Sequence, residues 1–581
     1  MKQLRTVWCM LLLFTPAVLS AQEVQWASEV LDFSSELSER EYSARQILGE
    51  PDVLPAGGES PNSWVPKNED KRNSIKVGFE KPMRIQQVAV AEAFNPGSVY
   101  QVFAYDGDDK EYLINTFSPR PITRAARMFN IFFNETPYQV SAIKIVIEGK
   151  AVPGYNAIDA IGIANTRTPI EAEVNVLDSI SANLVVDRLS DNVNSEYKEL
   201  KPLISPDGKT MYFSRRNHPE NVGGVDDPED IWYSEMSSDG EWQKAKNLGP
   251  PLNTEGPNFV SSITSDGETM VMVLGNQYGS NGKMRAGVSI SRRGADGGFE
   301  EPKNLEIKNM YNFNEKANFF MANSQKVMLM SIEREDSRGG RDLYVIFEQE
   351  DGDWSEPLNV GDDLNTAGEE SSPFLAADER TLYFSSEGHS GYGGSDIYAT
   401  RRIDDTWTNW TEPENLGPEI NSPGEDIFFN LPVNSDYAYY SRGVSETEAD
   451  IYRIKMPVIV QPSRVVIVYG KTLDVESNEP VAATIYYEDL ATGEEKGRDA
   501  SNSTTGDYQV ELPTSARYGY RAEAEGYYPL SANLDLTGIG SQRPDTVEQN
   551  LYLVPLGDTS DTTGPVPITL NNVFFDFNKS T

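Results

Sequence analysis

In the first quarter of the chain, apolar and polar residues alternate in short runs. Ile75, Val77 and Phe79 alternate with Ser74, Lys76 and Gly78, and the runs at 85–90, 100–105, 129–133 and 142–147 are similarly β-rich. A period of two sends successive side chains to opposite faces, so each run reads as a strand. Asp106-Gly107-Asp108-Asp109 lies between two of them as a hairpin turn. Many short strands separated by turn clusters predict a β-sandwich over residues 24–166.

From residue 178 to 457 the pattern repeats. A strand and tight turn, Ile204-Ser205-Pro206-Asp207-Gly208, returns as Ile263-Thr264-Ser265-Asp266-Gly267 and as Leu375-Ala376-Ala377-Asp378-Glu379, with degenerate copies at 321–324 and 432–435. A second element, Asp230-Ile231-Trp232, returns as Asp342-Leu343-Tyr344, Asp396-Ile397-Tyr398 and Asp450-Ile451-Tyr452, the last three 54 residues apart. A third places an aromatic before Asn: Trp242 and Asn247, Phe299 and Asn304, Trp354 and Asn359, Trp410 and Asn415. A fourth is Val193-Asn194, Leu252-Asn253, Leu364-Asn365 and Ile420-Asn421. Each unit holds about four short strands, which is one blade of a β-propeller. Five units are visible. The last lacks its final strand, and residues 178–194 hold an orphan strand, so pairing the two would close the ring; a sixth, eroded blade stays open.

Residues 463–555 again read as β. Arg464–Gly470, Glu479–Tyr487 and Thr504–Pro513 are strand-like runs in a small sandwich. Residues 556–567 are a Thr-, Asp- and Pro-containing linker, and 568–581 an alternating strand that cannot stand alone. The fold class is therefore all-β: sandwich, five-bladed propeller, small sandwich and a last strand.

Lys2 and Arg5, the apolar run Val7–Phe14 and small residues at Ser20-Ala21 form a secretory leader over 1–21, cleaved near Ala21. The apolar run is too short to span a bilayer. The net charge is −40, which argues against nucleic acid, since phosphates call for Lys and Arg stripes. Cys9 in the leader is the only cysteine, and His218 and His389 are the only histidines. That excludes thiol catalysis, disulfides and cysteine-based zinc sites, so no metal or cofactor is expected.

Four resemblances follow. Ala44–Asp52, Trp64 and the closing run Val152–Ile163 resemble the discoidin-like, galactose-binding-like sandwich. The Ser-Pro-Asp-Gly and Asp-Ile-Tyr signatures resemble TolB-like, WD-type propeller repeats of exported bacterial proteins. Gly506-Asp507-Tyr508 and Glu525-Gly526-Tyr527-Tyr528-Pro529 resemble the carboxypeptidase-regulatory-like, transthyretin-like domain. Val573–Ser580 resembles the first strand of the α/β OmpA-like domain, whose family binds peptidoglycan through positions that would lie beyond Thr581. The whole order resembles multidomain OmpA-family envelope proteins of Bacteroidetes type, some of which belong to the type IX secretion and gliding apparatus. The resemblance implies a non-enzymatic scaffold on the periplasmic side of the outer membrane, with the propeller as protein-docking platform and peptidoglycan as a further partner. The alternative is a glycan-binding envelope protein.

Candidate residues follow from each reading. Trp64, Asn95 and Tyr155 would bind a glycan, an aromatic face stacking on a sugar while an amide reads hydroxyls; the competing reading has Trp64 and Tyr155 plug the core and Asn95 form a turn. The long loops 217–230, 277–286 and 387–396 are the expected docking surface, carrying His218, Asp226, Asp227, Asn281, His389 and Tyr392. Acids recurring once per blade read as turn caps rather than catalysts.

Overall fold

The computed structural model describes residues 22–69, 71–177, 184–265, 267, 269–273, 288–294, 297–433, 435–445, 447–456, 462–463, 465–514, 516–537 and 546–556. The leader, the loop 277–286 with Asn281, and the linker and last strand from 557 onward lie outside them. The chain divides into two units: Met1–Glu36 with Ala44–Pro51 and Trp64–Ala172, and Leu37–Ser43 with Asp52–Ser63 and Glu173–Thr581.

The first unit is a sandwich. One sheet orders Val24–Trp26, Ala157–Ala164, Gln87–Phe94 and Arg127–Phe132; the other orders Glu29–Phe33, Arg72–Met83, Val140–Glu148, Val99–Tyr105 and Glu111–Thr116. The alternating positions do what their period dictates: Ile75, Val77, Ile143, Ile145 and Ile147 of one sheet share a core with Val88, Val90, Ile161 and Ile163 of the other. Each fully buried aliphatic chain there contributes about 1.5–3 kcal/mol. The 106–109 turn joins two paired strands, and Asp106 Oδ1 accepts from the amides of Asp108 and Lys110, which makes it a hairpin tip.

The second unit contains a propeller-like ring of five four-stranded sheets. Blade one is Lys198–Ile204, Thr210–Arg216, Asp230–Glu235 and Lys246–Asn247; blade two is Phe259–Ile263, Thr269–Val273, Val288–Arg292 and Lys303–Asn304. Blade three is Asn318–Met321, Val327–Ile332, Asp342–Phe347 and Leu358–Asn359; blade four is Glu370–Leu375, Thr381–Ser386, Asp396–Arg401 and Glu414–Asn415. Blade five has Asp426–Asn430, Tyr437–Gly443 and Ala449–Lys455 from its own repeat, and its outer strand is Val186–Arg188, from before blade one. The orphan strand thus takes the place the sequence left vacant. The first strands of successive blades touch in cyclic order, the fifth meeting the first, so the ring closes at five.

The repeat signatures supply the cores. Large aromatics at equivalent third-strand positions, Trp232, Tyr344 and Tyr398, are fully buried. Behind the ring, a second small sandwich pairs Asp507–Pro513, Val465–Asp474, Leu551–Pro555 and Tyr527–Tyr528 in one sheet, with Thr546–Glu548 alongside. Its other sheet is Glu494–Ala500, Thr484–Asp489, Arg517–Glu523 and Leu530–Asp535.

Candidate functional site

The recurring Asp and Asn residues form one relay, repeated in three blades. In blade four, Asn421 Oδ1 accepts from the Ile397 amide at 2.8 Å while its Nδ2 donates to the Ile397 carbonyl at 3.0 Å and to Asn415 Oδ1 at 2.8 Å. Asn415 then donates to Asp396 Oδ2, and its Oδ1 accepts from the Gly417 amide. Asn365, Asn359 and Asp342 repeat these bonds in blade three, and Asn253, Asn247 and Asp230 in blade one. An amide side chain has both a donor and an acceptor, so it can hold both groups of one strand residue at once, the carbonyl also accepting from the backbone amide of Leu416, Val360 or Leu248. Burial pushes the carboxyls of Asp230, Asp342 and Asp396 up to about 6. Blade five modifies the scheme. Asn194 caps Ile451 in the same way, but Asp450 is met by Arg188 of the closing strand, with contacts of 2.6 and 3.0 Å.

A second set of acids anchors the approach to each inner strand. Glu370 accepts from the amide and hydroxyl of Thr366, Asp426 from those of Ser422, and Glu199 from those of Ser195. The remaining lone pairs are taken by Ser386, Arg442 and Arg215 respectively. Burial raises Glu370 to about 8 and Glu199 to about 7. These acids are committed to backbone positioning, as the turn-cap reading expects.

The two histidines sit in equivalent loops between second and third strands, and both turn inward. His218 packs edge-on against Trp232 at 4.7 Å and Tyr197 at 5.0 Å, and its Nδ1 accepts from the Glu220 amide. His389 lies 5.4 Å from the Tyr398 ring with Nε2 on the Leu364 carbonyl at 2.9 Å, and burial holds it down at about 4. Asp227 is buried and accepts from the amides of Gly223 and Glu229. These bonds make His218, His389 and Asp227 part of the loop scaffold, and both histidines are half-buried. Asp226 stays exposed, in the same loop as exposed Val222 and Val225, and Tyr392 is half-buried.

The glycan set separates as well. Trp64 is fully buried, with its indole N–H on the Ser35 carbonyl at 3.0 Å, so no face remains for a sugar. Asn95, at φ 49°, donates to the carbonyls of Pro153 and Tyr155. Of the three, Tyr155 alone has an exposed side chain, at 39%.

Both ends of the ring carry material from elsewhere in the unit. On the turn side, Asp499 of the small sandwich accepts from Ser265 of blade two and Gln325 of blade three, each at 3.0 Å, while Asn323 donates to Glu511 and Arg498 to Glu348. On the loop side, Asn62 donates to the Gly388 carbonyl, Ser390 to that of Leu54, and Arg40 to that of Glu335. The blade-four docking loop is thus already occupied by the chain's own 52–63 segment. Between them lies a cleft of about 270 Å³ whose lining includes Asp52, Glu59, Glu387 and Glu425. Burial, then repulsion from Glu369 and Glu425, raises Glu387 to about 7. Among the described residues, no group of acids, histidines and cysteines is placed to hold a metal ion, and no helix is long and apolar enough to cross a membrane. Sequence reasoning missed Arg188, Asp499 and Glu511, which carry no repeat signal.

A family model matches residues 20–169: the C-terminal SD scarf domain of pappalysin-1. It covers the first sandwich, the segment expected to be discoidin-like. The F-box/LRR-repeat protein 4 of Bos taurus is 22% identical over 184 residues, 25% of this chain and 28% of that protein, so this chain spans little more than a quarter of its length. Similar solved structures include an α-L-arabinofuranosidase from Lactobacillus brevis, at 12% identity and a TM-score of 0.30 over 46% of this chain and 93% of that one. A glycoside hydrolase of family 32 from Bifidobacterium adolescentis is 9% identical with a TM-score of 0.29, over 80% of this chain and 95% of that one. Both are glycosidases, and likeness at this level carries no inference about this chain.

Proposed function

We propose that the chain is a non-catalytic docking scaffold whose propeller presents a partner surface on its loop side. The observation that carries this reading is how the repeat acids and both histidines are used. Asp230, Asp342, Asp396, Glu199, Glu370, His218 and His389 are each tied to a backbone group of a strand or loop. Such bonds hold loops at fixed positions and leave the groups unavailable for general acid–base work. The blade-one loop 217–230, with Val222, Val225 and Asp226 outward, is the surface we assign to the partner. The leader, the order of segments and the OmpA-like last strand support placing the scaffold in the bacterial envelope, tied to peptidoglycan. A net charge of −40 favours a cationic partner surface, with association slowing as salt rises.

The test is envelope pull-down with the full chain and with a variant whose 217–230 loop is shortened to a tight turn. Loss of the same partners, with the propeller still folded, supports the reading; unchanged recovery removes this loop. A panel of glycosidase, peptidase and esterase substrates should read blank, and turnover abolished by one acid substitution would replace the scaffold with an enzyme.

Exposed Tyr155 favours a second reading, a glycan-binding sandwich. A glycan array with wild type and Tyr155→Ala separates the two: binding lost in the variant supports the lectin.

A further inference from the structure

At the propeller axis the inner strands break register. The shifts fall between Leu200 and Leu203, Val260 and Ser262, Ser371 and Phe374, and Ile427 and Asn430. Three residues at these breaks, Lys201, Ser372 and Phe428, adopt left-handed backbone at φ 58°, 53° and 59°. Side-chain-bearing residues adopt this region rarely, and such strain clusters where a structure holds a group in place for a purpose. The breaks surround a cavity of about 40 Å³ whose lining includes Lys201, Ser261, Ser372, Phe428 and Asn430.

The lining is unusual in its polar atoms. Lys201 is 9% exposed, and its ammonium lies 3.2 Å from the centre of the Phe259 ring and 5.0 Å from that of Phe428. Nζ has no hydrogen-bond partner, and neither have Ser261 Oγ and Asn430 Oδ1, although all three atoms are buried. Ring faces attract a cation but leave its three N–H donors unsatisfied. Burial lowers the lysine to about 7; Glu229 favours its charge, and Arg341 and Arg216 oppose it. Arg341 is paired with Glu369 at 2.7 Å and Arg216 lies 3.9 Å from Glu229, so no carboxylate is bonded to the lysine itself. A water needs about 10–15 Å³, so the cavity suits about three waters or one small ion and is too small for a sugar.

We propose that the propeller axis is a binding site for a small monovalent anion, of chloride or formate size, held by the Lys201 ammonium. Ser261 donates its hydroxyl to the same anion. The Asn430 amide, whose oxygen and nitrogen are interchangeable in placement, turns its Nδ2 toward it. The anion supplies the lysine with the counter-charge and acceptor that the protein does not. The site is independent of the docking surface, because it lies among the inner strands and not in the loops.

The test uses the full chain. It is crystallised with sodium bromide as the only halide, and separately with sodium formate. The expected result is an anomalous bromide peak, or formate density, within hydrogen-bonding distance of Lys201 Nζ. Thermal melts at constant ionic strength, exchanging gluconate for bromide or formate, should show a rise of roughly 2–4 °C on moving to the small anion. Lys201→Met should lose that rise; should the variant fail to fold, the anomalous map on wild type decides alone. An axis holding only water in both crystals overturns the proposal. Density in one crystal alone supports it and identifies which of the two anions the site takes.

Discussion

Replacing Asn365 by alanine isolates the repeat relay. The side chain is fully buried and makes three bonds: from the Leu343 amide at 2.8 Å, to the Leu343 carbonyl at 3.0 Å and to Asn359 Oδ1 at 2.8 Å. Leu343 is itself fully buried, so its amide would be left without a partner or water, while its carbonyl keeps the Val360 amide at 3.2 Å. A buried polar group stripped of its partner costs about 1–3 kcal/mol, which is the local cost expected here. Because the chain has several domains, a single unfolding midpoint would blur this cost. Hydrogen exchange followed by mass spectrometry reads it locally. The peptide containing Leu343 should exchange about 5- to 150-fold faster, at roughly 1.4 kcal/mol per tenfold, while peptides of the first sandwich stay unchanged. Pairing Asn365→Ala with Asn359→Ala in a double-mutant cycle should give a clear coupling, since the two amides touch. If exchange at Leu343 changes less than threefold, the bonds do not hold the blade and the relay argument fails.

Other expectations follow from the same geometry. Asp342 and Asp396 have folded values of about 6, above the unfolded value near 3.9, so the fold holds their protons more tightly. Their contribution is complete below pH of about 4 and is lost as pH rises through about 6, whereas His389, held at about 4, works in the opposite sense over the same range. Melts should therefore be higher at pH 5 than at pH 7.5, and Asp342→Asn should narrow the gap; an unaltered gap in the variant would refute the assignment. Arg188→Ala leaves buried Asp450 without its guanidinium and should cost about 1–3 kcal/mol, seen as faster exchange in 449–455 with little change in blade three. Gly393→Ala would place a Cβ 2.0 Å from the Ser422 carbonyl oxygen, while at Gly394 the nearest atom is 3.6 Å away. The first should lower the melting temperature markedly and the second leave it within a degree or two, and equal effects would contradict the packing.

The blades could be read from the chain because each carries several landmarks at fixed offsets. Asp342-Leu343-Tyr344 and its copies mark third strands, and their aromatics are where a blade core must be filled. The missing strand in the fifth repeat and the surplus strand before the first pointed to each other. What escaped was chemistry without periodicity. Arg188 looks like any surface arginine until it meets Asp450, 262 residues on. Asp499 and Glu511 give no hint that they clasp turns of other blades. Trp64 shows the reverse difficulty: an aromatic in a loop can stack on a ligand or fill a core, and only the fold around it decides. The Asn residues of the fourth element were visible as a repeat, but their two-handed bonding to Ile231, Leu343 and Ile397 is something no spacing displays.

The antiparallel closing strand also sets how the ring would respond to tension. Val186 pairs with Ile454 and Arg188 with Tyr452, so the chain enters and leaves the propeller side by side at one edge of blade five. A pull between the segments before 184 and after 456 would load these pairs one after another, as a zipper, rather than all at once in shear. The Val186 end would part first, and the Arg188–Asp450 ion pair last. Just upstream, Asn175 and Leu177 bond to Asn415 of blade four, so blade four shares the load on the entering side, and force spectroscopy should register small first ruptures at these outer contacts before the larger ones.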